Sequence, residues 1–326
     1  MAVGTVSSLI TEMGDAVEIV ICNPRTPEKP EGYANEFRVR ETIFQRSVDI
    51  AWTGNLEDIA ESSIVIMTLG KPRVKGMSRE DLFINNAQTV YHFAKQVSRI
   101  APYAIFINAS NPVDKITYIA QIAGDFDYNK ILGIGGTLDN GRFATNISDE
   151  TGIDPMHIYS RVLGLHGPDM IPIVSEATIG PDMTKLSNML TEEQITRIKQ
   201  KTTKGGAYAN ETIGGTSFAV GAAITLMVKS IINDENSMLQ CSVAARGEPY
   251  GIQPFYACEG NVATKRYPFI GLPVKLGKSG IKKICPLRLD PYEQEQLCSS
   301  AAKVALDLNG LHEPHGRFMK IYKKIS

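Results

Sequence analysis

A chain of 326 residues with 34 Lys and Arg against 35 Asp and Glu, formal net charge −1, has no overall pull towards nucleic acid or an anionic membrane, which leaves small metabolites as the expected partners. No run reaches the ~18 to 20 apolar residues of a membrane span, and the start lacks the charged head and long apolar centre of a signal peptide. The five cysteines (Cys22, Cys241, Cys258, Cys285 and Cys298) are widely spaced and form no C-x-x-C pair, which argues against a disulfide framework or a zinc site and fits a reducing cytoplasm.

At roughly 100 to 200 residues per domain, the length predicts two domains. Val6, Leu9, Ile10 and Met13 recur at helical spacing, so the chain is expected to open as a helix over Met1 to Met13, with no strand before it. Ala16 to Cys22 is a compact apolar run ended by Asn23-Pro24 and predicts a buried strand, followed by a helix from about Glu31 to Ile43. The pattern repeats: Ile64 to Leu69 ends in Gly70, Asp81 to Arg99 is helical, and Tyr103 to Ile107 ends in Asn108. A shorter run, Lys130 to Gly136, closes the series. Strands alternating with helices imply a parallel sheet, in which ligands bind beyond the carboxyl ends of the strands. The residues there are Asn23 and Arg25, Gly70 to Arg79, and Asn108-Ala109-Ser110-Asn111-Pro112.

After Gly136 the alternation weakens, which sets a boundary between residues 1–136 and 137–326. Asp139 to Gly152 reads as a helix with Asp139 and Arg142 on one face. Strands at His157 to Leu163 and Ile171 to Ser175 bracket His166. Thr191-Glu192-Glu193-Gln194 is a capping box opening a long helix, and Thr216 to Asn233 is another helix. Met238 to Ala245 and Ile270 to Ile284 predict antiparallel strands, the second folded about Gly277-Lys278-Ser279-Gly280, and Asp290-Pro291-Tyr292-Glu293 starts a helix that runs to about Asn309.

The chemistry concentrates in Leu163-Gly164-Leu165-His166-Gly167-Pro168-Asp169-Met170, a histidine set between glycines in a strand-like stretch. By itself the octet reads either as an active-site imidazole or as a packed core histidine, and Asp139 with Arg142 either as site residues or as a helix-surface ion pair. His312 and His315 have the spacing of a metal pair but no carboxylate or cysteine cluster beside them, so they read as surface histidines. His92 and His157 are expected in packed elements.

Taken together these motifs resemble the malate and lactate dehydrogenase family, closer to the malate side, over nearly the whole chain. The family's mobile loop is similar to Gly70-Lys71-Pro72-Arg73-Val74-Lys75-Gly76-Met77-Ser78-Arg79-Glu80-Asp81-Leu82-Phe83, its Asn-Pro-Val segment to Asn111-Pro112-Val113-Asp114, its Asp and Arg helix to Leu138 to Phe143, and its histidine motif to Leu163 to Met170. The resemblance implies an α/β fold, a Rossmann-type doubly wound parallel sheet followed by an α+β catalytic domain, and hydride transfer between NAD or NADP and a small 2-hydroxy acid. His166 would exchange the proton and Asp139 would fix its tautomer. Arg142 would grip the first carboxylate with a bidentate fork, Arg79 would polarise the carbonyl, and Arg73 would take a second carboxylate, which makes the substrate a dicarboxylate, oxaloacetate or malate. Asn111 would contact the substrate oxygen across a cis Asn111-Pro112 bond, and Asn86 and Thr216 match cleft positions.

The resemblance assigns Gly4, Thr5, Val6, Asn23, Arg25, Asn86 and Asn111 to the cofactor. Only one glycine of the dinucleotide fingerprint, Gly4, is present, and the acidic residue expected after the second strand is replaced by Asn23. An amide there removes the charge that repels a 2'-phosphate and Arg25 is near enough to attract one, so NADP stands beside NAD. The first strand is missing from the chain as it begins, which predicts about ten further residues upstream and a gap or rearrangement beside Val17 to Cys22. Lactate or another 2-hydroxy acid as substrate, and an inert relative without cofactor binding, remain alternatives. NAD-dependent glycosidases are disfavoured because no cysteine lies near His166 to form their metal-binding pair. A cytoplasmic homodimer or homotetramer is expected.

Overall fold

Apolar residues at helical spacing, Val6, Leu9 and Ile10, wind Ala2–Met13 into α1 and bury that stripe. In this computed structural model the described residues are 1–70, 79–247, 249–259 and 262–312, without the side chains of Asp15, Arg79, Glu80, Cys258, Glu259, Val262 and His312. The first half then alternates as β1 (Glu18–Cys22), α2 (Glu28–Ile43), β2 (Asp49–Thr53), β3 (Ile64–Met67), α3 (Arg79–Ile100), β4 (Ile105–Asn108), α4 (Val113–Gly124), β5 (Ile131–Gly133) and α5 (Gly136–Thr151). The second half continues with β6 (Ile158–Tyr159), β7 (Val162–Gly164), β8 (Met170–Pro172), β9 (Thr178–Ile179), β10 (Thr184–Lys185), α6 (Leu186–Met189), α7 (Glu192–Ile213), α8 (Phe218–Ile232), β11 (Ser237–Ala244), β12 (Phe255–Glu259), β13 (Val262–Arg266), β14 (Phe269–Gly277), β15 (Gly280–Ile284) and α9 (Pro291–His312).

The strands of the first half pair in parallel, as their alternation with helices requires: β1 with β2, and β3 with β4 and β4 with β5. These pairings fall into two sheets. Strand β1 pairs only with β2 among the described residues, while β3-β4-β5 continues through the antiparallel strands β11, β14, β7 and β8, with β15 on β14. The sheet is thus divided beside β1, where a gap was expected. Around it lie Ile105, Ile107, Leu132, Val243, Ile270, Leu272 and Val274, all buried in one core with Ile10, Ile19 and Ile50.

Helices α1 and α8 approach until their backbones touch. A Cβ on Gly4 would stand 2.4 Å from the Ser217 carbonyl oxygen, and one on Gly221 2.4 Å from the Gly4 carbonyl oxygen, a spacing that only glycine at both positions permits.

Several elements differ from the sequence reading. Strand β2 has only Ile50 and Thr53 buried, three residues apart and out of step with strand alternation. Helix α4 is buried on nearly every face, from Val113 to Gln121, so it carries no polar stripe to mark its period. The hairpin β12–β13 was likewise not anticipated. The stretch from His157 to Leu163 is two strands, parted at Ser160 and Arg161, because β6 pairs with β9 and β7 with β8 and β14. His92 and His157, expected in packed elements, are both exposed: His92 sits on the outer face of α3 and His157 ends a short turn before β6. His312 as a side chain and His315 lie outside the described residues.

Candidate active site

His166 stands in the turn between β7 and β8. Gly164 and Gly167 on either side have φ +85° and +123°, left-handed values that glycine adopts without strain. The turn brings the ring against α5, where Asp139, in the first helical turn, and Arg142, one turn on, share a face. Asp139 Oδ2 accepts the His166 Nδ1 proton at 2.7 Å and Asp139 Oδ1 accepts Arg142 Nη1 at 2.8 Å. The ion pair that helix spacing alone would allow is therefore present, and the same carboxylate also holds the histidine. Asp139 is only 1% exposed, His166 and Arg142 about 15% by side chain. A carboxylate so buried is tolerable because both oxygens are paired and the helix N-terminus faces it.

Burial pulls the His166 imidazole towards losing its proton. The Asp139 carboxylate and its hydrogen bond, with the Asp114 carboxylate behind them, more than offset that, so the net shift is upward, and Arg142 works against it. With Nδ1 committed to Asp139, the second ring nitrogen is the one that can exchange a proton with a ligand. The stem of Arg142 lies on α7, where Gly205 and Gly206 leave room: a Cβ on Gly205 would stand 3.1 Å from Arg142 Cδ. Those two glycines were not singled out in the sequence, because their reason is a contact with another helix.

The loops after β3 and β4 meet beside this cluster. Asn86 of α3, 2% exposed, donates its amide to the Asn111 carbonyl at 2.7 Å. The Asn111-Pro112 peptide is cis. Gly135, at the start of α5, touches both sides of the site: a Cβ there would be 3.3 Å from His166 Cβ and 3.6 Å from Val113 Cγ1. Asn111 is exposed and Thr216, half-buried, lies in the connection between α7 and α8. Arg73 lies outside the described residues, as does the side chain of Arg79, whose backbone opens α3.

The positions assigned to a cofactor are distributed along the strand ends. Asn23 turns the chain after β1: its Oδ1 accepts the backbone N–H of Arg25 at 3.1 Å and of Thr26 at 3.4 Å, and its amide donates to Thr26 Oγ1 at 2.8 Å. Arg25 is exposed. Gly70, after β3, has φ +129°, and a Cβ there would press within 3.1 Å of the Asn86 side chain, so this strand end offers bare backbone to a ligand. Gly4, Thr5 and Val6, assigned to the cofactor by the resemblance, lie at the start of α1 and are buried there, Gly4 against α8 and the Thr5 hydroxyl donating to the Met1 carbonyl at 3.2 Å. Asn23, Gly70, Asn86 and Asn111 fit an extended polar cofactor laid across the carboxyl ends of β1, β3 and β4.

Known proteins are similar to this chain over most of its length. A model of the lactate/malate dehydrogenase NAD binding domain matches residues 2–133, and one of the lactate/malate dehydrogenase alpha/beta C-terminal domain matches residues 136–312. The chain belongs to the lactate/malate dehydrogenase family. The malate dehydrogenase of Trichormus variabilis is 37% identical over 286 residues, 87% of this chain and 83% of the relative, and that of Methanosarcina mazei 34% identical over 284 residues, 86% and 87% respectively. Among solved structures, malate dehydrogenase from Aeropyrum pernix superposes with a TM-score of 0.84 at 27% identity, over 97% of this chain and 96% of that one. The Cryptosporidium parvum lactate dehydrogenase complexed with lactic acid and nicotinamide adenine dinucleotide does so with a TM-score of 0.82 at 25% identity, over 96% and 95%. Both branches of the family therefore share this fold.

Proposed function

We propose that the chain is an NAD-dependent malate dehydrogenase interconverting malate and oxaloacetate, with residues 1–136 as its cofactor side and residues 137–326 as its substrate side. The observation that carries the reading is one buried carboxylate, Asp139, holding His166 at 2.7 Å and Arg142 at 2.8 Å. The nicotinamide cofactor, when bound, would supply the hydride as NADH for reduction and accept it as NAD for oxidation. His166 gives a proton from its second ring nitrogen to the carbonyl oxygen of oxaloacetate, and takes it back from the malate hydroxyl in the reverse direction. Asp139 keeps that nitrogen in the donating tautomer and stabilises the imidazolium. Arg142 grips the carboxylate beside the carbonyl through its guanidinium N–H groups not bonded to Asp139, and Asn111 adds a contact to the substrate oxygen. Arg79 polarises the carbonyl, Arg73 pairs with the second carboxylate, and Thr216 and Asn86 line the cleft. Gly4, Thr5 and Val6 at the start of α1, with Asn23, Arg25, Asn86 and Asn111, form the cofactor's binding line. The reading includes a place in the tricarboxylic acid cycle, in the cytoplasm, as a homodimer or homotetramer.

One observation favours NADP as a second cofactor: the residue after β1 is Asn23, an amide whose contacts are to its own turn, with the exposed Arg25 beside it.

The direct test is reduction of oxaloacetate and of pyruvate with NADH and with NADPH, for the parent and for Arg73→Gln. Loss of one partner of a desolvated charge pair costs about 2 to 5 kcal/mol, so the variant should lose about thirty-fold or more on oxaloacetate while pyruvate is spared. Better turnover of pyruvate by the parent, or equal losses on both substrates in the variant, would overturn malate in favour of lactate.

A further inference from the structure

A second carboxylate, which the reaction as described does not use, lies directly behind the histidine. Asp114, 3% exposed, sits in the first turn of α4, three residues after Asn111. Its Oδ2 accepts the backbone N–H of His166 at 2.9 Å and its Oδ1 accepts the Ser242 hydroxyl at 2.6 Å. One buried group thus joins the start of α4, strand β11 and the β7–β8 turn. The packing around it has no slack: a Cβ on Gly133 would meet Thr117 Oγ1 at 2.5 Å and Ser242 Cβ at 3.1 Å.

Tying three elements together needs only hydrogen bonds, which an uncharged amide would supply, whereas burying a carboxylate is costly unless its charge is matched. The cation that acts on it is the imidazolium. Among the described residues, the charged groups about His166 include Asp139 and Arg142 on α5, Asp114 on α4, and in its own turn Asp169, which is about half exposed and paired with Lys303 of α9 at 3.1 Å. Burial drives the Asp114 carboxyl towards its neutral form; Ser242, the His166 N–H and the imidazole pull it back only in part and Asp139 adds to the push, so the net shift is upward.

We propose that Asp114 is a positioning residue for His166: it holds the backbone that carries the imidazole while Asp139 holds the ring, and its charge adds to that of Asp139 in keeping the proton on the imidazole. This rests on His166 being the proton carrier.

The test compares Asp114→Ala, Asp114→Asn and Ser242→Ala with the parent and with His166→Gln, reading kcat, the NADH dissociation constant from nicotinamide fluorescence, and the pH profile of oxaloacetate reduction. An inactive His166→Gln upholds the proton carrier, and an active one removes the reading on which the proposal stands. Given an inactive His166→Gln, Asp114→Ala should lose about tenfold or more in kcat with NADH affinity within about twofold of the parent. Asp114→Asn, whose amide oxygen can still accept the His166 N–H, should recover most of that loss but move the alkaline limb of the profile down by about 1 pH unit. Ser242→Ala frees one oxygen without touching the histidine and should move the limb by a smaller amount; it serves if Asp114→Ala does not fold. The proposal is overturned if Asp114→Ala keeps kcat within about twofold, if kcat and NADH affinity fall together, or if neither Asp114→Asn nor Ser242→Ala moves the limb.

Discussion

The Asp139 carboxylate carries two contacts at once, and the pH dependence of the enzyme follows from them. Reduction of oxaloacetate requires the imidazolium and oxidation of malate the neutral imidazole. Because the folded structure holds His166 above its ordinary value, with Asp139 and Asp114 overcoming burial, kcat/KM for reduction should stay level through mildly acid pH. It should fall about tenfold per unit once pH passes that raised value, and malate oxidation should rise through the same point. Asp139→Asn removes the charge and the tautomer control, so reduction should drop by about 100-fold or more and the limb should move to lower pH. Rates read from NADH absorbance between pH 5 and 10 check both, and a limb that stays in place would separate Asp139 from the proton step. At the cofactor end, Asn23→Asp can keep every contact of its turn, since a carboxylate still accepts from the N–H groups of Arg25 and Thr26 and from the Thr26 hydroxyl. Its charge repels a 2'-phosphate, so the ratio of kcat/KM with NADH to that with NADPH should rise about tenfold or more. An unchanged ratio would pass the choice of cofactor to Arg25.

Elements in this chain are ended and joined by the same residues. The start of α7 behaves as its sequence says: Thr191 Oγ1 accepts the Gln194 N–H at 3.3 Å and Gln194 Oε1 the Thr191 N–H at 2.9 Å. The start of α9 has the matching signature, with Asp290 Oδ1 accepting the Glu293 N–H at 2.8 Å. Yet Glu293, 1% exposed, also reaches out of its helix, where its Oε1 accepts the backbone N–H of Val174 at 2.8 Å and of Ser175 at 3.1 Å, just past β8. Glu293→Ala should therefore cost about 2 to 4 kcal/mol, more than a lost cap, because two partly buried donors lose their partner along with the cap. Urea unfolding monitored by circular dichroism measures the loss, and a loss near 1 kcal/mol would mean that the Val174–Ser175 segment satisfies itself another way.

For the whole molecule, the expected homodimer or homotetramer has a surface to match. On α2, Val39 and Ile43 are 55% and 74% exposed, with Phe44 just past its end at 60%, and on α8 Phe218 and Leu226 are 81% and 51% exposed. Between α5, α7 and α8 runs a cleft of about 980 Å³ in which Leu138, Ala219, Ala222 and Leu226 lie among charged side chains such as Arg142 and Lys201. Apolar side chains so displayed are better buried by a second copy than left in water. Sedimentation should give two or four times the mass of one chain, and the double variant Ile43→Glu with Phe44→Glu should shift it towards the single chain. A parent that sediments as one chain at micromolar concentration would remove the oligomer.

What the sequence by itself determined is the part governed by local rules. Helical periodicity placed α1, α3 and α8, alternation with helices placed the parallel strands other than β2, and the capping pairs at Thr191 and Asp290 placed two helix starts, each within a few residues, because hydrogen bonding and burial act there over one or two turns. The site motifs around Asn111, Asp139 and His166 were legible as motifs for the same reason. Only the tertiary structure decided what those motifs do together: that Asp139 holds His166 and Arg142 at once, that Asp114 reaches across to the His166 backbone, and that Gly4 packs against α8. The two fates of the stretch from His157 to Leu163 and the room that Gly205 gives Arg142 were likewise beyond the sequence. Each depends on residues tens or hundreds of positions apart, and no local pattern records a partner that the chain meets only after folding.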